Sequence, residues 1–432
     1  MPEPQHHSVI IIGGGPGGLG VAALLQGWRP RLVGSVPDRL RTGAIPDLLT
    51  GASDDLLSLD MDAVVHAGIS PFDLFRILHH PTNDYRGREA RVLGFQKRPA
   101  IDWLMLSNEP AGGLWNYVPR NQLTLSPAHW MELAPYPMDE FFNDSGRNLD
   151  PNDLIEKKDL VPYYHRFVVK TGLRDRMRLD QNVVSITPGD DSRRFVIGAE
   201  SSTAGRLIDY SADFLVFAVG PKAVLRRLDV PGEERDYISY HYDHWDDYPG
   251  ERVMVVGGGR SADWAATELH DAGRHVTYVM RGQESTQLRL IHDSQHLPYY
   301  VRIREIIESG SPRLDRRYGI HVKAFEPGGR VLLDSRDFVD VDHVIVEIGG
   351  EPSYDLLRDF GRLSLTEGRD RYRLQLMQMV VDPKSYESVD ISGLYPAGYL
   401  AEGTGISVLG MHCTVYPMAA DILSKLRVEA ES

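Results

Sequence analysis

The chain has 432 residues, 42% of them hydrophobic and 25% charged, which is enough to bury a sizeable core and to divide into two or three domains. Its formal net charge of -14 argues against a general nucleic-acid surface, which needs clustered Lys and Arg. No stretch approaches the roughly 18 uncharged apolar residues of a membrane span, and the segment Met1 to His7 lacks the basic flank and apolar core of a signal peptide, so a cytoplasmic protein is expected.

In chain order, the β-branched run Val9 to Ile12 leads into Gly13-Gly14-Gly15-Pro16-Gly17-Gly18 and then a helical pattern from Leu19 to Leu25. A helical insertion with polar interruptions, spanning about 40–98, separates this unit from the next convincing strand, Ile101 to Leu106. Leu160 to Val168 reads as an amphipathic helix, and Asp213 to Val219 as a buried strand ending at Gly220-Pro221. The loop through Pro231-Gly232 and Asp246 to Gly250 reaches a second strand, Arg252 to Val256, followed by Gly257-Gly258-Gly259-Arg260-Ser261-Ala262. His275 to Arg281 is the next strand, and Val341 to Val346 another. The pattern predicts an α/β fold with two Rossmann-like dinucleotide-binding domains. The first is discontinuous, residues 1–230 and 341–432, and the second, 231–340, is inserted in it.

Each glycine turn has the chemistry of a pyrophosphate cradle, because a helix N-terminus offers unpaired N–H groups and a favourable dipole. Gly13 permits the tight turn, Gly15 lets phosphates approach, and Gly18 allows close helix packing, with Pro16 and Gly17 between them. Gly257, Gly259 and Ala262 repeat these roles, with Arg260 and Ser261 inside the turn. Arg281 stands where a site selective for NAD would carry an acid, so the second turn is read as an NADPH site, which Arg260 could assist. In the first unit no acid ends a nearby second strand; either Asn108 or Glu109, after the insertion, could hold the ribose. The single cysteine, Cys413, allows no internal disulfide and no paired-cysteine redox centre. No metal-ligand cluster and no Ser/His/Asp arrangement stands out, so redox chemistry belongs to the cofactors.

Two such units in this order, with Gly112-Gly113-Leu114-Trp115 after the second strand of the first, resemble the flavin-containing monooxygenases and their Baeyer-Villiger and N-hydroxylating relatives, the class B flavoproteins. The segments Leu78 to Pro81, Pro110 to Trp115, Leu125 to Leu133, Tyr163 to Val168, Ile348 to Ser353 and Gly398 to Gly410 narrow this. Together they resemble the oxidative stress-induced growth inhibitor family from about residue 8 to residue 425. The resemblance implies FAD at the first turn, with Gly113, Leu114, Trp115, Val184, Gly220, Gly398, Thr404 and Gly405 contributing, and NADPH at the second. It also implies that Ser126 and His129 face the flavin, although His129 is at least as well read as a structural histidine.

His241 to Asp246 is similar to half of the Baeyer-Villiger signature, which places His241 and Trp245 either in nicotinamide gating or in linker packing. Arg235 and Tyr237 replace the Phe and Gly of the other half, and Tyr399 replaces the acid of the family's Gly-Asp pair. The implied chemistry is an NADPH-dependent and O2-dependent monooxygenase whose peroxyflavin oxygenates a soft nucleophile, with N-hydroxylation of a small amine or amino acid preferred. Arg289, Arg302 and Arg304 could bind a substrate carboxylate, although three arginines in a charged helix more often form a solvated face. The alternatives are a flavin oxidase or reductase releasing peroxide, and a nucleotide-binding regulator without turnover. The expected partners are a small substrate and O2, with no nucleic acid and no membrane; a homo-oligomer is compatible with the sequence.

Overall fold

Strand β1 (Gln5–Ile12) carries the β-branched run Val9 to Ile12, and all of it is buried. Side chains alternate across a strand, so Val9 and Ile11 enter one hydrophobic cluster while Ile10 and Ile12 enter another on the opposite face. Burial on both faces, at about 1.5–3 kcal/mol per side chain, is what makes this a central parallel strand. The glycine turn then hands over to α1 (Pro16–Leu25), with Gly15 at the cap position and Pro16 opening the helix. A computed structural model describes the chain apart from residues 1–3, 83–90, 190–194, 204, 368–376, 405–407 and 432.

After α1 the chain leaves the sheet through β2 (Trp28–Leu32), α2 (Ile45–Gly51), α3 (Met61–His66), α4 (Pro71–His79) and β3 (Leu93–Lys97). The middle of this insertion is helical, as the sequence suggests. Its two ends, however, pair antiparallel as a separate ribbon of β2 with β3. That ribbon has little sequence signal, because Trp28-Arg29-Pro30-Arg31-Leu32 contains a proline and two arginines. The chain re-enters the main sheet at β4 (Trp103–Leu106), parallel to β1 with Ile10 opposite Leu104. The second strand of the first Rossmann unit therefore follows the insertion.

Helices α5 (Met138–Ser145) and α6 (Lys157–Thr171) come next, then β5 (Met177–Arg178), β6 (Gln181–Pro188), β7 (Phe195–Ser201) and β8 (Leu207–Phe217). The strand order is β5-β4-β1-β8-β7-β6, with β4 and β8 both parallel to β1. Two short strands, β9 (Val224–Leu225) and β10 (Ile238–Ser239), lead into the second unit. It contains β11 (Arg252–Gly257), α7 (Arg260–Asp271), β12 (His275–Met280), α8 (Glu284–Asp293), α9 (Pro298–Glu308) and β13 (Leu314–Tyr318). An antiparallel three-stranded sheet, β14 (Val322–Glu326), β15 (Arg330–Leu333) and β16 (Phe338–Asp340), precedes β17 (His343–Glu347) and the short β18 (Gly350–Glu351).

The second sheet has the order β10-β17-β11-β12-β13 and is parallel throughout. This corrects one boundary: β17 lies in the second sheet, hydrogen-bonded to β11, so the chain leaves this unit after Glu347 and not at 341. An apolar strand in sequence does not reveal which of two similar sheets it completes. The return to the first unit is made by β19 (Leu394–Pro396), which pairs with β8, and by α10 (Val408–Cys413) and α11 (Val415–Glu431), which pack against α1. Among the described residues no helix is long and apolar enough to cross a membrane.

Candidate functional site

Gly13 has φ +106, and its N–H donates to the Leu106 carbonyl at 2.9 Å, so the chain turns sharply where β1 and β4 end. A Cβ on Gly13 would lie 2.3 Å from the Ala218 carbonyl oxygen, and one on Gly18 would lie 2.2 Å from the Gly13 carbonyl oxygen. Both glycines are required by packing. Gly15 differs: its nearest Cβ neighbour is the Gly113 Cα at 3.8 Å, so its outer side is open. Helix α1 has no side-chain cap and no acid in its first turn, which leaves its leading N–H groups to an incoming anion. A pyrophosphate fits this cradle.

Two distant segments close on the same helix start. The Gly112 N–H donates to the Gly14 carbonyl at 2.9 Å, and a Cβ on Gly113 would lie 2.8 Å from the Gly15 Cα. A Cβ on Gly17 would lie 2.5 Å from the Gly398 nitrogen. The structure thus brings the Gly113-Leu114-Trp115 turn and Gly398 to the first glycine turn, with Leu114 exposed and Trp115 half-buried. Gly220 ends the β8 segment at φ +80 with open space beside it. Val184 is exposed at the bulge of β6, where the pairing with β7 skips it. Thr404 is buried, and its Oγ1 accepts from Gln378 Nε2 at 3.0 Å. Tyr399 is buried, and the same Gln378 Nε2 donates to its carbonyl at 2.7 Å. Gly405 lies outside the described residues.

Both candidate ribose anchors stand just past β4. Ser107 fixes the turn, its Oγ accepting from the Glu109 N–H at 3.1 Å. The Asn108 side chain is exposed and donates to Asn182 Oδ1 at 3.2 Å. Glu109 is half-buried, and burial raises its pKa while the Tyr117 hydroxyl opposes the shift.

At the second turn a Cβ on Gly257 would lie 2.4 Å from the Glu347 carbonyl oxygen and 2.8 Å from the Ala262 Cβ. Gly259 has nothing within 4 Å on its Cβ side, and α7 has no side-chain cap, so this cradle is also open. Ser261 is half-buried in the first turn of α7. Arg260, in the same first turn, carries its buried guanidinium over the Tyr300 ring, 5.6 Å from the centroid. Its charge also acts on Asp263, a fully buried carboxylate that sequence reading missed. Asp263 accepts from the Tyr278 hydroxyl at 2.8 Å, Gln287 Nε2 at 2.9 Å and the Tyr300 hydroxyl at 3.0 Å. Burial raises its pKa, against these donors and the Arg260 charge. Arg281 is exposed at the end of β12, beside the open turn.

Ser126 is buried. His129 bonds through Nδ1 to the Pro151 carbonyl at 2.8 Å, with its ring 5.6 Å from that of His80, so it is engaged in packing. His80 stacks on Trp130 at 4.4 Å, and His412 Nε2 accepts the Ala134 N–H at 3.0 Å. The His241 side chain is 44% exposed and lies 3.9 Å from Glu347, and the burial of the rest of the ring lowers its pKa. Trp245 stays at the surface. The three substrate arginines form no pocket: Arg302 pairs with Asp271 at 2.8 Å, Arg304 with Glu308 at 3.7 Å, and Arg289 is exposed on α8. Cys413 is buried and its thiol pKa is pushed far up by that burial. Among the described residues no group of His, Cys, Asp or Glu is placed to hold a metal ion.

The pyridine nucleotide-disulphide oxidoreductase model matches residues 96–398. The chain belongs to this family. As a pyridine nucleotide-disulphide oxidoreductase it is a flavin oxidoreductase that uses FAD and NAD(P)H, which the two open cradles fit. Oxidative stress-induced growth inhibitor 1 of Homo sapiens is 24% identical over 438 residues, covering 91% of this chain and 90% of its own. A bacillithiol disulfide reductase from Bacillus cereus shares the fold at TM-score 0.67 and 18% identity, covering 98% of this chain and 100% of its own. An ornithine hydroxylase from Pseudomonas aeruginosa does so at TM-score 0.58 and 13% identity, covering 97% and 99%. A reductase and a hydroxylase thus share this fold, and the choice of electron acceptor rests on residues of the site.

Proposed function

We propose that this protein is an NADPH-dependent, class B-like flavin monooxygenase that oxygenates a soft nucleophile, with N-hydroxylation of a small amine or amino acid as the reaction. The observation that carries the reading is Cys413. It is the only cysteine, it is buried, and its environment disfavours the thiolate, so the chain has no dithiol to receive electrons. The acceptor is then external to the protein. A fold shared with an ornithine hydroxylase as well as with a reductase accommodates an oxygenated amine as product.

On this reading the first turn, with Gly113 and Gly398, holds the FAD pyrophosphate, and Asn108 or Glu109 holds its ribose. The second turn holds the dinucleotide, with Arg281 receiving the 2'-phosphate. FAD held at the first turn would supply the redox chemistry that links NADPH to dioxygen. The chain's own contribution is to orient both nucleotides and to exclude water; Leu125 and Leu154 of the first unit help by packing on the core of the second.

The amine is bound elsewhere than at Arg302 and Arg304, which are committed to surface ion pairs. That commitment also favours a second reading, a flavin oxidase that releases peroxide without a productive substrate. NADPH consumption and peroxide release, followed together across a panel of amines, amino acids and thioethers, separate the two. Monooxygenation predicts that one class lowers peroxide and yields an oxygenated product; equal peroxide with every compound overturns it in favour of the oxidase.

A further inference from the structure

The buried run Val344-Ile345-Val346 of β17 ends on a carboxylate, Glu347, whose side chain is only 9% exposed. Its position in the sheet is specific. From β11 the chain proceeds to β12 and β13 on one side, whereas β17 and β10 lie on the other. In open parallel sheets, ligands bind outside the C-terminal strand ends where the order reverses in this way. Glu347 stands at that reversal, as the register partner of Gly257, the first glycine of the turn.

On its other side runs β10, with Ile238 opposite Val344, and the chain that continues from β10 brings His241 Nδ1 to 3.9 Å from Glu347 Oε1. Oε1 also accepts the Tyr242 N–H at 2.9 Å. Lys222, on the linker from the first unit, supplies positive charge to both groups. A carboxylate taken out of water in this way is costly unless a partner uses it. One side of the turn is marked by Arg281 at the end of β12. A dinucleotide whose adenosine phosphate lies there must cross β11 toward β17. Its other half carries ribose hydroxyls and a carboxamide amino group, which are hydrogen-bond donors.

We infer that Glu347 is the acceptor that holds the nicotinamide half of the dinucleotide through those donors, with Tyr242 and His241 fixing its orientation. This rests on reading Gly257 to Ala262 as the dinucleotide turn. The Tyr242 N–H occupies Oε1, and on this assignment Oε2 receives the donors of the ligand. Glu347→Gln keeps an oxygen for the Tyr242 N–H and turns an amide N–H toward the ligand, where a donor meets a donor.

The test uses the FAD-loaded protein and measures dissociation constants for NADP+ and for 2',5'-ADP, which lacks the nicotinamide half. Glu347→Gln and Glu347→Ala are expected to weaken NADP+ roughly ten- to hundredfold and to leave 2',5'-ADP at its wild-type affinity. Unchanged NADP+ binding in both variants overturns the assignment. So does a parallel loss of 2',5'-ADP, which indicates a distorted turn. If the wild-type protein binds neither compound, the reading of the turn itself fails, and the assignment with it.

Discussion

Gly15 and Gly18 lie three residues apart on the same helix start, yet the structure predicts opposite consequences for the same substitution. At Gly15 the backbone is extended, φ -76 and ψ 177, which any residue adopts, and a Cβ meets only the Gly113 Cα at an ordinary 3.8 Å. Gly15→Ala should therefore cost the cofactor-free protein at most about 1 kcal/mol, the difference between Gly and Ala at a helix cap. The added methyl projects toward the side from which a phosphate approaches. Displacing one or two charge-assisted hydrogen bonds at about 1.5–3 kcal/mol each weakens FAD by at least roughly tenfold. At Gly18 the Cβ would sit 2.2 Å from the Gly13 carbonyl oxygen, so the helix must move off the strand. Overpacking of that kind costs about 1–3 kcal/mol. Urea unfolding of the cofactor-free proteins and flavin fluorescence titration measure the two effects. Wild-type FAD affinity in Gly15→Ala, or wild-type stability in Gly18→Ala, would refute the division of labour between these glycines.

Three further outcomes follow from particular side chains. Arg281→Ala should raise the dissociation constant for NADP+ by roughly ten- to hundredfold and leave NAD+ unchanged; equal changes for both would remove the 2'-phosphate role. Cys413→Ala should retain NADPH-dependent reduction of the flavin, because the thiol is buried and held protonated; loss of reduction in a folded variant would return the thiol to the electron path. His80 and His412 are held neutral by burial, each at about 3 against an ordinary 6.5. Because their folded pKa values are depressed, the stability they contribute is complete above pH 6.5 and is lost as the pH falls toward 3. At pH 5 the loss is about 2 kcal/mol per ring, so urea unfolding should show a shallower fall between pH 7 and pH 5 for His412→Gln than for the wild type. Identical slopes would contradict the burial argument.

The parts of the fold legible in sequence are those with a local cause. The β-branched run Val9 to Ile12 and the glycines after it must form a strand and a tight turn, and the position of Asn108 and Glu109 after the insertion follows from the next strand found. Features decided by tertiary partners were not legible. The ribbon of β2 with β3 pairs two weak strands across the insertion, and β17 could have completed either sheet. Arg260 reads as a phosphate ligand until its guanidinium is seen buried over the Tyr300 ring of α9. His80 and His412 meet the segment around Trp130 and Ala134 only because α4 and α10 pack against one another. Glu347 carried one signal, a charged residue closing an apolar run, whose meaning depends on its neighbour being Gly257.

On the function proposed above, electrons enter from a nicotinamide dinucleotide at the second turn and pass to FAD at the first. Anaerobic titration of the FAD-loaded protein with NADPH tests it most directly. The flavin band near 450 nm is expected to bleach with one equivalent of NADPH and to bleach more slowly with NADH. A band that persists with both would contradict it.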